Sequence, residues 1–305
     1  MKICAFDIGG TNIKFGVLTD DGHILFKSQM ATKAISGGLN IIERVIAQIK
    51  ILRKSYDIKG VSISTAGQIN SEKGHVVFAV DTIPRYTGLK IKEIIEESVQ
   101  LPVIVENDVN CAALGEYWKG VAVGYSDFIC MTLGTGIGGA IISHGKVYYG
   151  ANFLAGEFGH LNLYPNGKKC SCGSKGCYEQ YASSKALSNL IKKEYGFSID
   201  LKDFFQFVKE DNIKANSVLN IWVRDVALGL KSIVHIFNPE LIIIGGGISE
   251  QGEYLTKKIS SELSKLIMPS FREHLVIKPA SRGNDSNLLG AVYNWVMKYS
   301  SNKLC

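Results

Sequence analysis

The sequence predicts an α/β protein built as a duplicated fold, with a ligand cleft between its halves. Three observations point that way. A strand, glycine-turn, strand module opens the chain around Gly9-Gly10-Thr11, and a second copy opens the other half around Gly134-Thr135-Gly136. The alternation of helices and strands after the first copy restarts after the second. The length of 305 residues suits two domains, at roughly 100–200 residues each.

Period-2 alternation marks the first elements. Ile3, Ala5 and Phe6-Asp7-Ile8, then Ile13, Phe15 and Val17, then Ile24 and Phe26 read as a three-stranded meander whose second turn is Asp20-Asp21-Gly22. Ile41, Ile42, Val45, Ile46, Ile49 and Leu52 recur at helical spacing. A strand at 61–65, a helix at Ile91–Val99, a strand at 102–106 and a helix at 109–118 complete the first half. In the second half, strands at 127–133, 140–143 and 147–149 surround the glycine turn and His144-Gly145. A long helix follows, with Val218, Trp222, Val226, Leu230 and Phe237 on its faces, and Asn238-Pro239 stops it. A buried strand at 241–244 runs into Gly245-Gly246-Gly247; a helix at 251–266, a strand at 275–279 and a helix at 287–298 close the chain.

Composition excludes several classes. Apolar residues make up 46% of the chain and charged residues 20%, so it buries a sizeable core. No apolar run approaches the roughly 18–20 residues of a membrane span, and Asp7 interrupts any signal-like start, so a cytoplasmic protein is expected. The excess of 34 basic over 28 acidic residues is spread along the chain, with pairs such as Lys168-Lys169 as its longest clusters. That pattern excludes a nucleic-acid surface and suits a small anionic ligand. Cys4, Cys111, Cys130 and Cys305 are scattered and read as reduced thiols, mostly in the core.

Gly134-x-Gly136-x-x-Gly139 has dinucleotide-fingerprint spacing, but that fingerprint needs a helix directly after it, and 140–147 reads as a hairpin. No Gly-x4-Gly-Lys-Ser/Thr loop occurs either. What remains is a pair of turns, Gly9-Gly10-Thr11 and Gly134-Thr135-Gly136, in which glycine lets backbone amides approach phosphate oxygens and threonine adds a hydroxyl. Ligand-free tight hairpins are the alternative. Asp7 ends the first strand, where a carboxylate can hold Mg²⁺ through water. Gly245, Gly246 and Gly247, after a buried strand, lie where nucleosides sit in open α/β sheets.

Asp108 begins a helix at the end of a strand, placed either to accept a proton from an alcohol attacking phosphorus or simply to cap the helix. Asn107 beside it can orient a hydroxyl. Between them, Glu157 and Glu179 as acceptors and His160 as a donor can both donate and accept hydrogen bonds, which suits vicinal diols. They flank Cys170, Cys172 and Cys177, which with one imidazole make a closed Cys₃His zinc site. His160 is the nearest fourth ligand, His144 and His235 are the others, and free or redox-active cysteines are the alternative reading. A closed site would pin the 160–180 loop.

Asp7-Ile-Gly-Gly-Thr11, Glu106-Asn-Asp108, Leu133-Gly-Thr-Gly-Ile-Gly-Gly139, Glu157-Phe-Gly-His160 and Cys170-Ser-Cys-Gly-Ser-Lys-Gly-Cys-Tyr-Glu179 together resemble the ROK family of repressors and sugar kinases, end to end. The resemblance implies an actin/Hsp70/hexokinase-like (ribonuclease H-like) fold of two lobes with a central cleft. The small lobe would be 1–118 with about 287–305, the large lobe 119–286 with the zinc loop. It implies an ATP-dependent kinase acting on the 6-hydroxyl of a hexose or N-acylhexosamine, with Asp108 as the general base. Asn107, Asp108, Glu157, His160 and Glu179 would contact the sugar, with His160 also on zinc. Gly9, Gly10, Thr11, Gly134, Thr135 and Gly136 would bind ATP phosphates, with Mg²⁺ at Asp7, and Gly245 and Gly246 the adenosine side. The Thr-Ile-Pro-Arg-Tyr run at 82–86 looks more like N-acetylmannosamine and β-glucoside kinases than glucokinases. Family members are often dimers or tetramers, so a homo-oligomer is expected. ROK repressors carry an additional DNA-reading segment before this body; here the phosphate motif begins within ten residues, so no nucleic-acid or membrane partner is expected and a non-catalytic sugar sensor is the alternative.

Overall fold

The computed structural model describes residues 1–79 and 83–300, so Thr82 of the 82–86 run and the Cys305 thiol lie outside the described residues. Its strands are β1 (Lys2–Ile8), β2 (Asn12–Thr19), β3 (Ile24–Ala31), β4 (Ile58–Thr65), β5 (Gln68–Asn70), β6 (His75–Phe78), β7 (Val103–Asn107), β8 (Phe128–Leu133), β9 (Ile137–Ser143), β10 (Lys146–Val147), β11 (Leu241–Gly245) and β12 (Val276–Pro279). Helices are α1 (Gly38–Leu52), α2 (Ile91–Val99), α3 (Asp108–Lys119), α4 (Glu179–Ala182), α5 (Ser184–Tyr195), α6 (Leu201–Lys209), α7 (Ile213–Phe237), α8 (Gly252–Ser264), α9 (Pro269–Arg272) and α10 (Ser286–Ser300). They form two compact units. Of the described residues, one holds 1–79, 83–124, 147–155 and 281–300; the other holds 125–146 and 156–280.

The duplication is visible in the sheets. The first unit has the order β3-β2-β1-β4-β7, and the second repeats it as β10-β9-β8-β11-β12. In each, the opening strand runs antiparallel to the next and parallel to the strand on its other side. Alternation along β1 then divides the first unit's core. Cys4, Phe6 and Ile8 pack with Ile42 and Ile46 of α1 and Ile95 of α2. Ile3 and Ala5 point to the other face, against Leu288, Val292 and Trp295 of α10.

Register on that second face explains how the polar residues meet. Asp7 of β1 is opposite Ser64 of β4, and Ser64 is opposite Glu106 of β7, so three polar residues form one row near the carboxyl ends of parallel strands. Two helices cover the row. A Cβ on Gly290 of α10 would stand 1.7 Å from the Cys111 carbonyl oxygen of α3, and one on Gly115 would stand 2.1 Å from that of Ser286. Gly290→Ala is therefore expected to force α3 and α10 apart, at the upper end of the roughly 1–3 kcal/mol that overpacking costs. A melting temperature unchanged from wild type would contradict this close approach.

In the second unit α7 is the spine. Tyr178 donates from its hydroxyl to the Val226 carbonyl at 2.6 Å, and Trp222 donates from Nε1 to the Ser183 carbonyl at 3.0 Å, so α4 and the start of α5 are tied to its buried side. The helix ends as anticipated, at Asn238 in the left-handed conformation (φ 44°) ahead of Pro239. The β5–β6 hairpin and the helices α4, α5, α6 and α9 were not anticipated. The third strand of the second meander is also shorter than its 147–149 expectation, because Tyr149 leaves the sheet and joins the first unit, where its hydroxyl reaches Glu106 at 2.7 Å. Among the described residues no helix is long and apolar enough to cross a membrane.

Candidate active site

The first unit gathers Asp7, the 9–11 turn, Asn107 and Asp108. Asp7 is 9% exposed, and its Oδ1 accepts from Ser64 Oγ at 2.8 Å and Asn287 Nδ2 at 2.9 Å. The turn after it is closed by Gly9 N to the Asn12 carbonyl at 3.1 Å and braced by Thr32 Oγ1 on the Gly9 carbonyl at 2.6 Å. A Cβ added at Gly10 would meet nothing within 4 Å, so its backbone opens onto free space.

Asn107, not Asp108, is the helix cap: its Oδ1 accepts from Val109 N at 2.8 Å and Asn110 N at 3.1 Å. Its amide nitrogen donates to the Gly67 carbonyl at 2.9 Å and to Asp108 Oδ1 at 3.0 Å. Asp108 Oδ1 also accepts from Val109 N at 3.0 Å, which fixes the carboxylate's direction. Burial, and then the charge of Asp7, lift the Asp108 carboxyl from 3.8 to about 6. A carboxylate with that affinity for protons, ionised at neutral pH, is suited to base chemistry.

The second unit gathers the other glycine turns with the loop bearing Glu157, His160 and Glu179. Gly134 N bonds the Gly136 carbonyl at 3.0 Å, and Ser184 at the start of α5 braces the turn through the Gly134 and Leu133 carbonyls. Gly134, like Gly10, has open space where a side chain would be. Gly246 follows β11 with φ +85°, and a Cβ there would stand 2.5 Å from the Leu133 carbonyl, so the 245–247 glycines adjoin the 134–136 turn. Glu157 leads the 3-10 turn Phe158–His160. Its Oε2 lies 3.9 Å from His160 Nε2, and a Cβ on Gly136 would come 2.6 Å from Glu179 Oε2.

Four donor atoms, from His160, Cys170, Cys172 and Cys177, all lie within 4.8 Å of one another. His160 Nδ1 is 3.7 Å from Cys170 Sγ, and Cys172 Sγ is 3.6 Å from Cys177 Sγ. Sulfurs held about 2.3 Å from a shared tetrahedral ion stand about 3.8 Å apart, so the set fits one four-coordinate cation. The tight turn at 170–174 closes through Cys170 N on the Ser174 carbonyl at 2.9 Å, and the Ser174 amide lowers the Cys172 thiol. His144 and His235 lie elsewhere: His144 stands at an exposed hairpin tip near Asp127, and His235 packs edge-on to Phe271. Cys4, Cys111 and Cys130 are buried and form no disulfide.

The sequence profile of the ROK family matches residues 3–298. This chain belongs to the ROK family. It is 32% identical to a glucokinase of Halalkalibacterium halodurans, over 98% of this chain and 95% of that protein. It is also 32% identical to a beta-glucoside kinase of Listeria innocua, with 98% of each chain covered. Among solved structures, a ROK family glucokinase from Streptomyces griseus in complex with glucose and AMPPNP superposes at a TM-score of 0.81, with 33% identity, over 96% of this chain and 98% of that one. The duplicated actin-like α/β fold expected from the sequence is the fold of this ROK chain. Sequence reasoning missed Ser64, Gly67 and Asn287, all of which bond to Asp7 or Asn107 from distant elements. The Glu106-Asn107-Asp108 run showed the acids without their partners.

Proposed function

We propose that this ROK protein is an ATP-dependent sugar kinase that phosphorylates the 6-hydroxyl of a hexose or N-acylhexosamine, with glucose and N-acetylmannosamine as the first candidates. One observation carries the reading: Asp108 is a carboxylate held in direction by two N–H donors and tuned to about 6 by burial and Asp7. As the sugar oxygen bonds to the γ-phosphorus and the bond to the ADP oxygen breaks, Asp108 takes the hydroxyl proton. Asn107, Glu157, His160 and Glu179 hold the sugar's hydroxyls in this reading. The open turns at 9–11 and 134–136 supply amides to the phosphates, with 245–247 toward the adenosine.

Mg²⁺, when bound with ATP, neutralises phosphate charge. Asp7 suits water-mediated contact with it, because Ser64 and Asn287 already engage one carboxylate oxygen. His160, Cys170, Cys172 and Cys177 would hold zinc, whose part is structural, since four protein donors leave no open position. A beta-glucoside kinase is the second reading, favoured by the 82–86 run and by the Listeria innocua relative.

A coupled assay of ADP release with ATP and a panel of glucose, N-acetylmannosamine, N-acetylglucosamine, fructose and β-glucosides tests this directly. Turnover on none of them would leave a sugar sensor as the reading. The same assay should show kcat/KM falling tenfold per pH unit below an apparent pKa near 6, because a base raised to about 6 is lost to protonation as pH drops through that value. A profile flat from pH 7 to 4.5, in protein still folded, would contradict the assignment.

A further inference from the structure

We propose that Glu106 is a positioning residue for Asp108: a buried carboxyl group that locks the first turn of α3 to the end of β7. The inference rests on the base assigned to Asp108 above. Glu106 is 0% exposed, a place where a carboxylate persists only if its lone pairs are satisfied. Its Oε1 accepts from Ser71 Oγ at 2.8 Å, Asn107 N at 2.8 Å and Asn110 Nδ2 at 3.0 Å. Its Oε2 accepts from the Tyr149 hydroxyl at 2.7 Å and Asn294 Nδ2 at 3.3 Å.

Burial raises the Glu106 carboxyl above the usual carboxylate range, and the hydrogen bonds from Asn110, Tyr149, Asn107 and Ser71 offset part of that rise. Burial and the Glu106 charge in turn raise Tyr149, which keeps its phenol protonated as a donor. Five donors converge on the two Glu106 oxygens.

Its placement gives it a role beyond stability. Asn107 N and the Asn110 side chain lie on either side of Asp108 in the chain, and Glu106 Oε1 holds both. With its backbone fixed this way, Asn107 can use its own side chain to cap α3 and to direct Asp108 Oδ1. Ser71 and Asn294 brace the same carboxylate from the loop after β5 and from α10, and Tyr149 brings the returning 147–155 segment to it. A displacement of about 1 Å in a reacting group is enough to cost roughly 10²-fold in rate.

Glu106→Ala strands several buried donors and is expected to fold poorly, so the test rests on gentler changes. Asn110→Ala releases the α3 side of the clamp and is expected to lower kcat by about 10–100-fold, with KM for sugar and for ATP within twofold of wild type. Glu106→Gln keeps an oxygen for the donors at Oε1. Its amide faces Tyr149 and Asn294, both of which can turn to accept, so kcat is expected to stay within about tenfold.

Two results would overturn the proposal: Asn110→Ala with a wild-type kcat, or kcat and both KM values degrading together in step with a falling melting temperature. Asp108→Asn measured alongside separates the two layers. If it retains turnover, the base assignment fails and takes Glu106's role with it. If it is inactive while Asn110→Ala turns over normally, only the positioning role fails.

Discussion

Asp108→Asn is expected to fold at least as well as wild type and to lose about 10²–10⁴ in kcat, the range associated with removing a positioned base. The two halves of that result have separate causes. An asparagine oxygen can take over the bonds that Asp108 Oδ1 accepts from Asn107 Nδ2 and Val109 N, so the first turn of α3 keeps its geometry. What disappears is a charge that the fold tolerates at a cost. The folded pKa of about 6 is raised above the ordinary 3.8 by burial and by Asp7. The proton is thus held more tightly in the folded state, and Asp108's contribution to stability is complete below pH 3.8 and lost as pH rises through 6. At pH 8 wild type carries that penalty and the variant does not. Calorimetry should find Asp108→Asn melting above wild type at pH 8, with the gap closing toward pH 4.5. Near-wild-type turnover in the variant would remove the base from the mechanism, and a lower melting point at pH 8 would contradict the electrostatic account of the site.

How much of this was legible beforehand depends on the range of the interactions. Period-2 and helical alternation placed most strands and α1, α2, α3, α7, α8 and α10, because those patterns are local consequences of one buried face. The left-handed Asn238 ahead of Pro239 marked a helix end for the same reason. α5 and α6 carried signals that went unread: Ser183 and Asp200 cap them through Ala186 N and Lys202 N, and Gly196 stops α5 at φ 82°. The Cys₃His set was legible because its members lie within a short stretch, His160 only ten residues from Cys170. Asn287 was not, since it reaches Asp7 across 280 residues and no local spacing encodes that bond. Tyr149 read as a continuing strand; only the tertiary structure shows a buried carboxylate that draws it out of the sheet. From sequence only Asp108 was weighed as the cap; the backbone gives that job to Asn107, leaving Asp108 directed by it.

Cys177→Ser is expected to reduce bound zinc from one per chain to a small fraction of that, and to raise the sugar KM at least tenfold while the ATP KM stays within twofold. Structural zinc in small finger domains is bound with apparent free energies of about 10–16 kcal/mol at neutral pH, and the site counts as folded structure only with all four donors in place. Cys177 is 1% exposed, so a serine there can neither replace the thiolate nor recover its bond from water. The base of the loop has other supports. Tyr164 donates to Asp225 Oδ1 at 2.6 Å, Lys168 N to the Tyr181 hydroxyl at 2.7 Å, and Tyr178 N to the Leu161 carbonyl at 2.8 Å. The damage should therefore concentrate between Lys169 and Cys177 and in the residues that turn aims: His160, itself a donor of the set, and Glu179, whose Oε1 lies 3.2 Å from Cys170 Sγ. Both are assigned to the sugar, and of the two only Glu179 touches a phosphate turn, through its Oε2 beside Gly136, so the sugar KM is expected to move far more than the ATP KM. Cys130→Ala, at a buried thiol outside the set, is the control and should keep its zinc. Elemental analysis of metal-replete wild type that finds no zinc, or equal zinc in Cys177→Ser, would reassign the cysteines to another chemistry.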